Sequence, residues 1–117
     1  MLNVLFVCAR NRLRSPTAER VFADRPGVET DSAGLAPDAD VQLSGDQLHW
    51  ADLVVVMEKA HRTKLRRGYA RALGGTRVVC LDIPDRYEFM EPALIELLEE
   101  RMRPHLPQSR AQSERAL

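Results

Sequence analysis

The chain has 117 residues, of which 44% are hydrophobic and 29% charged, with 17 basic side chains balanced by 17 acidic ones. That length supports one domain around one core. A formal net charge of zero gives no global basic field for nucleic acid or an anionic membrane, and no apolar run approaches the ~20 residues of a bilayer span.

The first residues carry no basic segment ahead of the apolar stretch, so no export signal is expected. The two cysteines, Cys8 and Cys80, stand far apart in sequence. Nothing else suggests an oxidising compartment, so both are expected as reduced thiols in the cytoplasm.

Asn3 to Val7 is short, apolar and partly β-branched, the pattern of a strand covered on both faces. A polar loop, Cys8 to Arg14, follows it. Ser15 is predicted to cap a helix with Pro16 at its first position. Ala18, Val21 and Phe22 give that helix an apolar face, and Arg25-Pro26-Gly27 ends it. Val28 to Ser32 is a weaker strand, and Ala33 to Asp40 reads as loop. Ser44 is predicted to cap a helix running to Trp50-Ala51. Leu53 to Val56 is the second clear strand, and Glu58 to Leu73 is predicted to be one helix closed by Gly74-Gly75. Thr76 to Leu81 is the next strand, and Asp82 to Tyr87 the loop after it. A last helix opens at Glu91-Pro92 with a buried stripe of Leu94, Ile95, Leu97, Leu98 and Met102, and Pro104 stops it. One domain over residues 1–106 and a disordered polar tail over 107–117 are expected.

Strands alternating with helices predict an α/β fold, an open parallel sheet with helices on both faces. Right-handed crossovers put the loops that follow strands on one edge of the sheet, where such sheets bind ligands. The Cys8 loop and the Asp82 to Tyr87 loop therefore share that edge.

Between Cys8 and Arg14 lie Ala9, Arg10, Asn11, Arg12 and Leu13. A loop of this length between strand and helix can turn successive N–H groups inward as an anion nest at the positive end of the helix. Arg14 can add a two-pronged contact to a phosphate. A thiol at a helix N-terminus beside arginine ionises readily, and a Cys8 thiolate at the base of that cradle can attack phosphorus in line. Ser15 can donate to the sulfur and ease its later departure. The loop donors can stabilise the charge of the transition state.

Val7-Cys8-Ala9-Arg10-Asn11-Arg12-Leu13-Arg14-Ser15-Pro16-Thr17-Ala18-Glu19 resembles the signature of the low-molecular-weight protein tyrosine phosphatase family. Asp31-Ser32-Ala33-Gly34, Asp52 to Met57 and Asp85-Arg86-Tyr87 resemble, in the same order, the family's second-strand motif, third strand and acid loop. The resemblance spans Leu2 to about Met102 and is closest to a short branch of predicted tyrosine phosphatases. It implies a flavodoxin-like sheet of four parallel strands and a two-step phosphomonoesterase. Cys8 would be the nucleophile, Arg14 the phosphate ligand, and Asn11 and Ser15 the residues that shape the loop. Asp85 would be the acid and then the base. Four departures stand out: Arg10 replaces a glycine, Leu13 replaces a second loop cysteine, Arg86 replaces a proline, and the segment after Gly34 is shortened and lacks the bulky aromatic of the cleft.

Asp82 competes with Asp85 for the acid role, but Asp85 lies further from the strand end and precedes Tyr87, a candidate cleft wall. Trp50 is expected in the core. His49, His61 and His105 are scattered and expected at the surface, so no metal and no cofactor are predicted. The Lys59, Arg62, Lys64, Arg66, Arg67 cluster is a solvated helix face. The expected partners are a phosphorylated substrate, either a phosphotyrosine protein or a small phosphate ester, and oxyanions in the loop. Two other functions fit the same residues: an arsenate reductase-like thiol enzyme, and a non-catalytic phosphate- or phosphoprotein-binding module.

Overall fold

The computed structural model of the protein describes residues 1–107; the expected tail falls, from Gln108 on, outside them. Four strands, β1 (Leu2–Cys8), β2 (Val28–Gly34), β3 (Leu53–Val56) and β4 (Arg77–Cys80), form one sheet in the order β2-β1-β3-β4. All three pairings are parallel. The two central strands, β1 and β3, are the continuous apolar runs, as burial on both faces requires. This is the flavodoxin-like arrangement, and the strand order reverses between β1 and β3, the place where such sheets hold ligands.

Five helices cover the sheet: α1 (Arg14–Phe22), α2 (Gly45–Trp50), α3 (Lys59–Gly68), α4 (Ala70–Leu73) and α5 (Pro92–Met102). The period-2 alternation of β1 decides which core each side chain enters. Val4, Phe6 and Cys8 pack with Phe22, Leu94, Leu98 and Met102 under α1 and α5. Leu5 and Val7 pack with Leu48, Leu65 and Leu73 under α2, α3 and α4. Phe6 and Phe22 stack with ring centroids 5.7 Å apart, tying α1 to β1.

Three elements depart from the sequence expectation. Helix α1 starts at Arg14, with Leu13 rather than Ser15 at its N-cap. Ser15 is fully buried and its hydroxyl is engaged with the Cys8 sulfur, so it cannot cap. The Leu13 carbonyl takes the Thr17 N–H instead. The predicted helix over 58–73 is two, broken at Tyr69, whose backbone (φ −131°, ψ 25°) leaves the helical region. Strand β2 extends through Ala33 and Gly34, because both pair with the end of β1.

Gly34 is where two loops are zipped together. Leu35 N–H donates to the Cys8 carbonyl at 3.0 Å, Ala36 to Ala9 at 2.8 Å and Asp40 to Arg10 at 3.0 Å. A Cβ at position 34 would lie 2.6 Å from the Ala9 carbonyl oxygen and 2.6 Å from the Ala39 Cβ. Gly34→Ala is therefore expected to destabilise the fold by about 1–3 kcal/mol and to weaken phosphate binding, both readable by urea unfolding with and without phosphate. Unchanged stability and phosphate protection would show that the two loops part without cost.

Candidate active site

Strand β1 ends at Cys8, and the chain turns through Ala9 to Leu13 into α1. Asn11 makes the turn possible: its φ is +56°, a left-handed conformation that asparagine tolerates better than most residues. Arg10, which stands where the resembled family has glycine, does not share that conformation and carries no backbone strain of this kind.

The buried polar residues beneath the loop form one directed chain of hydrogen bonds. The Glu19 carboxylate can only accept, so the Ser32 hydroxyl donates to it. Ser32 Oγ then accepts from Asn11 Nδ2 at 2.9 Å, and the second hydrogen of that amide goes to Ser15 Oγ, also at 2.9 Å. Ser15 Oγ lies 2.9 Å from the Cys8 sulfur and can give it its hydrogen, the Ala33 carbonyl being the other acceptor at 3.4 Å. The Asn11 backbone N–H also donates to that sulfur, at 3.3 Å. Two donors aimed at one sulfur suit an anionic acceptor. Buried polar groups satisfied in sequence like this hold a single geometry.

Arg14 is 2% exposed, and a guanidinium that deep needs partners. Its Nη1 donates to Glu58 Oε2 at 2.7 Å and to the Ile83 carbonyl at 2.7 Å, while its Nε lies 3.7 Å from Asp85 Oδ1. Both hydrogen bonds leave from one nitrogen, so among the described contacts the other N–H groups are uncommitted and can meet an oxyanion.

A cavity of about 530 Å³ opens over the loop, lined by Cys8, Ala9, Arg10, Arg12, Leu13, Arg14 and Asp85. Of the two candidate acids, Asp85 is in this cavity. Asp82 lies outside it, in a shallow neighbouring groove with Glu58 and Lys59. The loop carrying Asp85 is pinned at both ends: Arg101 donates to the Asp82 carbonyl at 3.2 Å, and the Met90 N–H donates to Thr17 Oγ1 at 3.0 Å. Asn11 and Ser15 lie behind the cavity wall. Tyr87 is not among the lining residues; its ring is half-buried against the α1/α5 core, with the Arg86 guanidinium 5.9 Å from its centroid.

Three residues escaped the sequence reading. Glu58, the Arg14 partner, lies two residues past the end of β3 on the ligand edge, which was the signal available. Glu19 and Ser32 stand inside the quoted motifs, but no role attached to either. His61 is a correction. It was expected at the surface and is only 6% exposed. The Glu58 N–H donates to its Nδ1 at 3.2 Å, and its Nε2 faces the same Glu58 carboxylate at 3.5 Å.

Burial pushes the His61 pKa down, as do Arg14 and Lys64, while Glu58 and Asp85 pull the other way. The folded state therefore holds His61 neutral where the unfolded chain binds a proton. This contribution to stability is complete above the unfolded value of ~6.5 and is lost as the pH falls from there toward the lowered folded value. His105 acts in the same direction, through burial and then Arg77. Melting temperature is expected to drop between pH 7.5 and 5.5, and His61→Asn should flatten that slope. An unchanged slope in the variant would remove His61 as its source.

Cys80 does not join Cys8. It sits on β4, two strands away, opposite Val56, which pairs with Val7. Its side chain also packs against the other core. Strands ~4.8 Å apart put the two Cα atoms roughly 10 Å apart, beyond the ~7 Å limit for a disulfide. Burial pushes the Cys80 thiol pKa up; the Asp82 backbone N–H opposes this, and the Asp82 carboxylate adds to it. Both cysteines are unbridged. Among the described residues, no cluster of metal-ligating side chains occurs and no helix is long and apolar enough to cross a membrane.

Cys8, the buried Arg14 and the Asp85 carboxylate thus line one cavity at the ligand edge of a flavodoxin-like sheet. Solved structures show what the chain is similar to. The chain is 27% identical to Vibrio vulnificus Wzb in complex with benzylphosphonate, with a TM-score of 0.72, covering 89% of this chain and 96% of that one. It is 26% identical to the Erwinia amylovora tyrosine phosphatase AmsI, with a TM-score of 0.70, covering 92% and 95%. A YwlE arginine phosphatase, a cysteine-to-serine mutant with a phosphorylated active-site serine, shares the fold at 23% identity and a TM-score of 0.66, covering 94% and 99%. No family model and no curated protein matches the chain. The chain is thus similar, over most of its length, to solved low-molecular-weight tyrosine phosphatases.

Proposed function

We propose that the chain is a cysteine-dependent phosphomonoesterase that acts on phosphotyrosine or a related phosphate ester through a phosphocysteine. The observation that carries this reading is the meeting of Cys8, Arg14 and Asp85 in one cavity.

The phosphate sits on the loop N–H groups and the Arg14 guanidinium. The Cys8 thiolate attacks phosphorus in line, forming a P–S bond while the P–O bond to the leaving group breaks. Protonated Asp85 gives its proton to the departing oxygen. Water then attacks the phosphocysteine, Asp85 takes its proton, and the P–S bond breaks to release inorganic phosphate and the thiolate. Ser15 and the Asn11 N–H stabilise the sulfur as it leaves. Glu58 holds Arg14 in place throughout.

The substrates of similar proteins support the class and leave the substrate open, since AmsI is described as a tyrosine phosphatase and YwlE as an arginine phosphatase. The phosphorylated serine of the YwlE mutant is the kind of covalent intermediate proposed here. A cytoplasmic location agrees with two unbridged thiols. An arsenate reductase relay through Cys80 is disfavoured by its position on the opposite face of the sheet. The test is turnover of aryl phosphates by the protein and by Cys8→Ser, set out below; no turnover by the unaltered protein would favour the phosphate-binding module.

A further inference from the structure

Three arginines fall within five positions, at 10, 12 and 14, and one suffices to grip a phosphate. Arg14 is buried, and its remaining N–H groups serve the phosphate. Arg10 and Arg12 line the same cavity but stand at its rim, with side chains 63% and 46% exposed. Their like charges oppose each other and the buried Arg14, which favours an anion beside them.

One such anion is supplied by the chain itself. The Asp38 carboxylate lies between the two guanidiniums, 3.8 Å from Arg10 Nε and 3.9 Å from Arg12 Nη2. Asp40 lies 3.2 Å from Arg12 Nε. Both aspartates belong to the short segment zipped onto the loop beyond Gly34. The two contacts to Asp38 are too long for hydrogen bonds. Ion pairs this exposed are weak and screened by salt. Arg10 donates no side-chain hydrogen bond among the described residues. A carboxylate thus fits between Arg10 and Arg12, and the one there is loosely held.

We propose that Arg10 and Arg12 form a second anion subsite, so that the preferred substrates are phosphate monoesters bearing another anionic group close to the ester. This rests on the phosphatase reading for the word substrate, but its geometry concerns binding alone. Once the phosphate is seated on the loop, the second anion is presented to the rim at high effective concentration. It displaces Asp38, a competitor that gains nothing from such tethering beyond its place in the loop. The second group can be an acidic side chain next to a phosphorylated residue or a second phosphate on a small molecule.

Calorimetric binding of benzylphosphonate and of its 3- and 4-carboxy derivatives separates the inference from the catalytic reading. At low salt a carboxy derivative is expected to bind about tenfold tighter than the parent. That preference should vanish in Arg10→Ala/Arg12→Ala and grow in Asp38→Asn/Asp40→Asn. Equal affinities in the unaltered protein, a preference that survives removal of both arginines, or binding of none of the compounds would overturn it. A preserved preference in a protein that hydrolyses no phosphate ester would sink the phosphatase proposal and leave the subsite standing. Phosphotyrosine peptides with glutamate or alanine neighbours, compared with an aryl bisphosphate, identify the source of the second anion.

Discussion

Cys8→Ser is expected to abolish turnover of phenyl phosphate, by on the order of 10⁴-fold or more, because the nucleophile of a two-step mechanism cannot be replaced by the remaining groups of the site. The serine hydroxyl occupies nearly the same space and still faces Ser15 and the Asn11 N–H. It lacks the readily formed anion that makes a thiolate a strong nucleophile and a good leaving group. The anion nest and Arg14 are untouched, so phosphate or vanadate should bind the variant with affinity close to that of the parent. A steady-state assay paired with phosphate binding checks both halves. Retained turnover would remove the phosphocysteine mechanism; lost phosphate affinity would mean that the sulfur shapes the loop and does not simply react.

Asp85→Asn should slow hydrolysis by roughly 10²–10⁴-fold for esters with poor leaving groups, the usual range for a positioned general acid. The loss should be smaller for p-nitrophenyl phosphate, whose leaving group needs little protonation. The expected signature is a steeper dependence of rate on leaving-group pKa. Asp82→Asn should leave that dependence unaltered, since Asp82 lies outside the cavity and its left-handed backbone (φ +53°) marks a turn. Equal losses from the two substitutions would cancel the assignment of Asp85. Removing Asp85 also deprives Arg14 of a neighbouring carboxylate at 3.7 Å, so phosphate affinity should be measured beside the rates.

The fold class was legible in the chain because its signals are local. The apolar runs at 3–7 and 53–56 can only be strands covered on both faces, and strands alternating with helices impose parallel pairing. The ends of elements were less legible. Ser15 has the sequence marks of a helix cap, yet its hydroxyl turns inward to the sulfur of Cys8, a choice made by burial. The long charged helix breaks at Tyr69, just after Gly68, a glycine that a helical pattern can tolerate and that therefore announces the break only weakly.

The site divides along the same line. The sequence by itself determined the Cys8 to Ser15 loop and the sheet edge it shares with Asp85, because loop length, residue order and crossover handedness are properties of the chain. Only the tertiary structure decided which groups support that loop. Glu58 meets Arg14 across 44 positions and Ser32 meets Asn11 across 21, pairings fixed by the register of β1 against β3 and β2. It also decided that His61 is buried, that Tyr87 packs against the core, and that Asp38 bridges Arg10 and Arg12 at the rim. Each depends on desolvation or on contact between distant segments, and neither is encoded in the spacing of neighbouring residues.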